Sequence, residues 1–174
     1  MIIIHAVQKL LNTSGLKPQL YISQPSENQE LHSWYAKLVP TGYAGKSLVM
    51  YVHNPSLLMV LTAGRSVKST LPAFMSRLEC LLKRQHFKTA FIYREMPLVR
   101  EGYVVSKTNS KSLLGHMNEM SLNIEMYCRS LGRYDRINLD EIEDNFFGWI
   151  SFDHTLRTYR RVDEYWQQKK ATGE

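Results

Sequence analysis

The chain reads as an α+β protein, a small, mostly antiparallel sheet covered by amphipathic helices. Three observations point there. Ser47–His53 and Leu57–Thr62, both rich in Val, Leu and Met, flank Asn54-Pro55-Ser56, the clearest hairpin signal in the sequence. Several longer segments repeat apolar residues at spacings of three and four, the helical period. Strand-like and helix-like runs then mix without the regular alternation of a doubly wound fold.

Length and composition set the frame. A chain of 174 residues with 44% hydrophobic content can bury a sizeable core and is too apolar to be disordered. It divides into a core of residues 1–135 and a C-terminal helical extension, 136–174, packed on that core. No apolar run approaches the roughly 20 residues of a membrane span. Met1–Ala6 is too short for a signal-peptide core and lacks a preceding basic segment. A cytosolic protein without a membrane partner is expected. Cys80 and Cys128 sit beside apolar positions of helices and read as two buried free thiols. Neither has the companions that a Cys-based zinc site needs, so no metal ligands are assigned. No cofactor is legible. The net charge of +6 permits an anionic partner such as nucleic acid without demanding one.

The elements follow in order. Ile2–Ile4 is a β-branched run suited to a buried strand. Val7–Leu11 begins a helix that Asn12-Thr13-Ser14-Gly15 stops. Gln19–Ile22 reads as a short strand. Ser26 can cap a helix whose apolar face is Leu31, Trp34, Tyr35 and Leu38, ended by Pro40. Pro40–Ser47 resembles a phosphate-binding loop, but Pro40 replaces the first Gly and a strand follows. After the 47–62 hairpin, Ser69 or Thr70 caps a helix with Leu71, Phe74, Met75, Leu78, Leu81 and Leu82 as its buried stripe. Thr89–Tyr93 fits either strand or helix, and Gly102–Lys107 fits a strand. Leu139–Ile150 is a helix capped by Asn138.

Thr108–Glu119 carries the densest set of polar and small residues. Leu113, Met117, Met120, Ile124, Tyr127 and Leu131 form the apolar face of the longest helix, which Asn109, Ser110 or Ser112 can cap. Gly115 in its early turns suggests a close approach by another backbone or a ligand. Ser112, His116 and Glu119 share one stripe and have the residue types of a triad. They stand outward in parallel on one helix and do not converge. Asn118 lies roughly 160° around the helix from His116, so the two cannot serve one small substrate. The candidate catalytic residues are Asn109, Ser112, His116 and Asn118.

The C-terminal part interleaves cations with aromatic rings. Arg129, Arg133, Arg157, Arg160 and Arg161, with Tyr159 and Trp166, form a candidate nucleic-acid surface, cations for phosphates and rings for bases. Leu156, Tyr159, Val162 and Trp166 also follow helical spacing, which suits docking of a terminal helix on the core.

The pattern N-x-x-S-x-L-G-x-M-N, at Asn109, Ser112, Leu114, Gly115, Met117 and Asn118, resembles that of a bacterial domain-of-unknown-function family. Trp34-Tyr35-Ala36-Lys37-Leu38 looks like the W-H-A-N-L segment of the same family, with Tyr35 in place of its His. The resemblance covers about residues 1–130. It implies a common fold, carries no activity, and suggests an accessory role in a mobile-element or defence setting. Three functions are therefore expected in order: a nucleic-acid-associated binding protein, a nuclease or nucleotide-processing hydrolase using the 109–119 stretch, and a protein-binding inhibitor or antitoxin-like module.

Overall fold

A computed structural model describes residues 1–20, 29–153 and 158–171, with backbone alone for 151–153, 158–159 and 168–171. Five strands form one sheet: β1 (Ile2–Ala6), β2 (Ser33–Pro40), β3 (Ser47–His53), β4 (Met59–Ala63) and β5 (Tyr103–Lys107), in the order β4-β3-β2-β1-β5. The α+β class holds, but the sheet is mixed. β2, β3 and β4 pair antiparallel, whereas β1 pairs parallel with both β2 and β5. The hairpin signal captured only the antiparallel half. Parallel pairing joins segments distant in sequence and leaves no local turn to read.

Six described helices accompany the sheet: α1 (Gln8–Ser14), α2 (Val67–Arg84), α3 (Thr89–Arg100), α4 (Lys111–Ser130), α5 (Leu139–Phe147) and α6 (Val162–Ala171). Gly15, in the left-handed conformation, closes α1 at the expected stop. The Thr89 segment is helical. Ser110 caps α4, its Oγ accepting the Leu113 N–H at 3.2 Å, and Asn138 caps α5. For α2 the cap is Ser66, three residues before the expected Ser69. Thr70 is instead a buried residue whose hydroxyl bonds Tyr51 at 2.7 Å.

The segment expected to be a helix ending at Pro40 is strand β2. Side chains alternate faces along it. Trp34 packs edge-on against Phe74 of α2, while Tyr35 and Lys37 point to the opposite face, where Lys37 meets Asn118 of α4. Trp34, Tyr35, Ala36 and Val39 are all buried. A strand covered on both faces shows no polar alternation, so its apolar spacing imitates a helix. The entry to this strand is fixed by the fully buried Glu95, whose Oε2 accepts the N–H groups of Glu30 and Leu31 at 2.9 and 3.0 Å.

Edge strand β4 is covered by α5. Glu143 there is buried, and its Oε1 accepts the Leu61 N–H at 2.9 Å. Arg77 and Arg84 of α2 clamp the same carboxylate at 2.9 and 2.8 Å. An unpaired strand edge is thereby sealed by one side chain. Burial pushes the Glu143 carboxyl above its usual range, against the pull of the Leu61 amide and the two guanidinium groups.

Two further expectations fail. Cys80 is exposed on α2, since it lies off the stripe of Leu78, Leu81 and Leu82; Cys128 is buried as expected. The C-terminal segment is not one helix. β6 (Ile150–Asp153) and β7 (Thr158–Arg161) make a separate antiparallel hairpin before α6 begins at Val162. Val162 and Trp166 are buried nonetheless, and Leu156 lies outside the described residues.

Candidate functional site

The parallel strands β1, β2 and β5 all run toward the same sheet edge. The chain leaves β1 into α1 and β5 into α4. β1 thus has a parallel neighbour on each side, the place where an open α/β sheet leaves a crevice at its carboxyl edge. A cleft of about 290 Å³ lies there, lined by Val7 and Lys9, Lys37 and Leu38 of β2, and Leu114 and Asn118 of α4.

The in-register rows of the parallel pairs aim polar side chains at this edge. His5 of β1 stacks on Tyr35 of β2, ring centroids 4.7 Å apart. His5 Nδ1 lies 3.3 Å from the Lys107 carbonyl at the end of β5. The buried Tyr35 hydroxyl donates to Asn109 Oδ1, and Lys37 Nζ donates to Asn118 Oδ1. The two sequence segments, Trp34–Leu38 and Asn109–Asn118, therefore meet residue to residue.

Electrostatics distinguish this edge. Lys37 titrates below the ordinary lysine value, chiefly because burial disfavours its charge and then because Lys9 repels it. Burial likewise lowers His5, partly offset by its bond to the Lys107 carbonyl, and raises Tyr35. Lys107 ends β5 and Lys111 opens α4 at the same edge. Among the described residues, no carboxylate forms an ion pair with Lys9, Lys37, Lys107 or Lys111. The arrangement offers concentrated positive charge and amide hydrogen bonds beside an apolar wall.

The predicted site residues separate. Asn109 and Asn118 belong to the cleft region. Ser112 is exposed and His116 half-buried on the other side of α4, and no bond joins either to the other or to Glu119. Gly115 does not mark a close approach: a Cβ built there meets nothing within 4 Å. It is an exposed position beside Leu114, not a packing contact. Sequence reading missed His5, Lys9 and Lys37, which lie far from the motif along the chain. The only signal was the W-H-A-N-L-like segment, and it was read as a helix.

The basic C-terminal set is largely engaged within the chain. Arg129 pairs with Glu125 at 2.7 Å, Arg133 with Asp135 at 2.5 Å and Arg161 with Asp163 at 2.8 Å. The Arg160 guanidinium lies 4.3 Å over the Tyr165 ring. Trp166 is fully buried between His53, Phe87 and Phe91 and offers no face to a base. Arg157 and the Tyr159 side chain fall outside the described residues. Among the described residues no three His, Cys, Asp or Glu side chains gather as a metal site, and no helix is long and apolar enough to cross a membrane.

Fold and site thus define an α+β domain with a cleft at the carboxyl edge of its parallel strands. The model of a domain of unknown function, DUF6933, matches residues 3–147, and the chain belongs to that family. The match runs through α5, whose Glu143 seals the sheet edge. No curated protein and no solved structure matches the chain.

Proposed function

We propose that this chain is a binding protein for a phosphate-bearing ligand, seated by Lys9, Lys37 and Asn118, and that it acts in contact with nucleotides or nucleic acid. The observation that supports this reading is Lys37. A lysine whose charge is disfavoured by burial and by a second lysine, with no carboxylate among the described residues to relieve it, is poised to gain from an anion. The cleft is near the lower end of small-molecule sites, which suits a phosphoryl group and the atoms next to it. Binding is favoured over hydrolysis because Ser112, His116 and Glu119 stand apart on the helix surface, away from this cleft.

The test is a titration of the protein with ATP, inorganic phosphate, single- and double-stranded DNA, and RNA, each at several salt concentrations. Saturable, salt-sensitive binding that the double variant Lys9→Met/Lys37→Met abolishes is the expected result. Binding that the double variant retains would remove the cleft from the account. Absence of binding to every one of these anions at low salt would overturn the reading.

A further inference from the structure

Lys37 is set apart from a surface lysine by what surrounds it. It is half-buried in the cleft, where Val7, Leu38 and Leu114 supply apolar walls. Its Nζ donates to the Asn118 amide oxygen, and among the described residues no carboxylate forms an ion pair with it. Burial and the neighbouring Lys9 both work against its ammonium form, so more of it stands as free amine at neutral pH than of an exposed lysine. An amine among apolar side chains and beside a second cation is the setting in which lysine becomes a nucleophile.

The hydrogen bond to Asn118 fits that role. An amide oxygen accepts from an ammonium and from a free amine alike. It holds Nζ in place without fixing a proton on it, as a carboxylate would. Asn118 Oδ1 occupies an N–H and leaves the lone pair of the free amine for a carbon electrophile. A ligand that carries both a phosphate and a carbonyl divides the two lysines. The exposed Lys9 ammonium takes the phosphate, and Lys37 Nζ meets the carbonyl carbon. A cleft of about 290 Å³ suits a ligand of few carbons.

We infer that Lys37 is an imine-forming amine for small phosphorylated aldehydes. Its lone pair adds to the carbonyl carbon and forms the C–N bond of a carbinolamine. The carbonyl oxygen takes up a proton that the nitrogen releases by way of solvent. The C–O bond then breaks and water leaves. Both amine protons end in that water, and no oxidant or reductant is consumed. An imine protonated on nitrogen keeps one N–H for Asn118 Oδ1. Only the phosphate half of this rests on the proposed anion seat; the nucleophile stands on the surroundings of Lys37 itself.

The experiment incubates the full chain with glyceraldehyde 3-phosphate, and in parallel with glyceraldehyde, at neutral pH with cyanoborohydride. That reagent reduces a protonated imine to a stable secondary amine. Mass spectrometry of proteolytic peptides then follows the adduct at each lysine over time. Lys37 should be labelled first, ahead of Lys9, Lys107 and Lys111, and roughly tenfold faster or more by the phosphorylated aldehyde. Lowering the pH should slow Lys37 less than the other lysines, because its amine is less readily protonated. Lys9→Met should remove most of the preference for the phosphorylated aldehyde. Lys37→Met should lose the fast label without passing it to Lys9. Circular dichroism checks that both variants fold, and the unsubstituted chain decides the matter if either does not. Label spread evenly over the lysines overturns the inference, and ATP binding by the same preparation would then leave the anion seat intact. Lys37 labelled first but equally by both aldehydes overturns the phosphorylated class and removes the phosphate seat with it.

Discussion

Replacing Lys37 by Met keeps most of the side-chain volume and removes the charge. Two consequences follow from the structure, and they have opposite signs. A charged hydrogen bond to a phosphate oxygen contributes roughly 1.5–3 kcal/mol, so affinity should fall about ten- to a hundredfold. Stability should not fall with it. The native fold holds Lys37 in a setting that disfavours its ammonium, through burial and through Lys9. Met has no charge to desolvate, and the released partner, Asn118, is exposed and can bond water. Unfolding free energy should therefore stay within about 0.5 kcal/mol of the parent, or rise above it. The assay pairs isothermal titration with ATP and urea unfolding on the same preparations. Loss of affinity with stability intact is the expected signature of a group kept for ligand. A loss of more than about 1 kcal/mol of stability would mean that Lys37 serves the fold, and the reasoning would fail.

Other outcomes follow from the same geometry. Lys37 is charged below its lowered pKa and neutral above it, so anion affinity should decline with rising pH sooner than an ordinary lysine would allow, and should do so less in Lys37→Met. The stability cost of its charge runs the other way, present below the lowered pKa and fading as pH rises, which pH-dependent melting can follow. Glu143→Leu removes the acceptor of the Leu61 amide and strands Arg77 and Arg84; urea unfolding should show a loss of about 3–5 kcal/mol, and a loss under about 1 would deny the clamp its role. Gly115→Ala, with open space at its Cβ, should stabilise the helix by up to about 1 kcal/mol, and a lower melting temperature would contradict the open surface. Tyr35→Phe removes the bond to Asn109 and should cost about 1 kcal/mol, read in the same way.

Local chemistry made part of this structure legible. The caps at Ser110 and Asn138, the stop at Gly15 and the turn at Asn54-Pro55 are short-range signals, and all four hold. The errors come where tertiary contacts decide. Trp34–Leu38 is buried from both sides, and only the Phe74 ring and the α4 surface reveal it as a strand. β1 and β5 pair across about a hundred residues, with no turn to announce the register. The site shows the same division. Asn109 and Asn118 stand out in the sequence because they crowd into one stretch. His5, Lys9 and Lys37 join them only because parallel pairing sets His5 beside Tyr35 and brings α1 and α4 to one edge. Gly115 misled because low helix propensity looks the same in sequence whether the cause is packing or an open surface.

The central claim is that Lys9 and Lys37 together seat an anion. Nuclear magnetic resonance of the lysine side chains, assigned by single Lys→Arg substitutions and titrated with ATP, reads those ammonium groups directly. Lys37 and Lys9 should shift together and saturably, before the surface lysines, and the pKa of Lys37 should rise in the complex as the anion favours its charge. Uniform, non-saturating shifts across all lysines, with the pKa of Lys37 unchanged, would contradict the account.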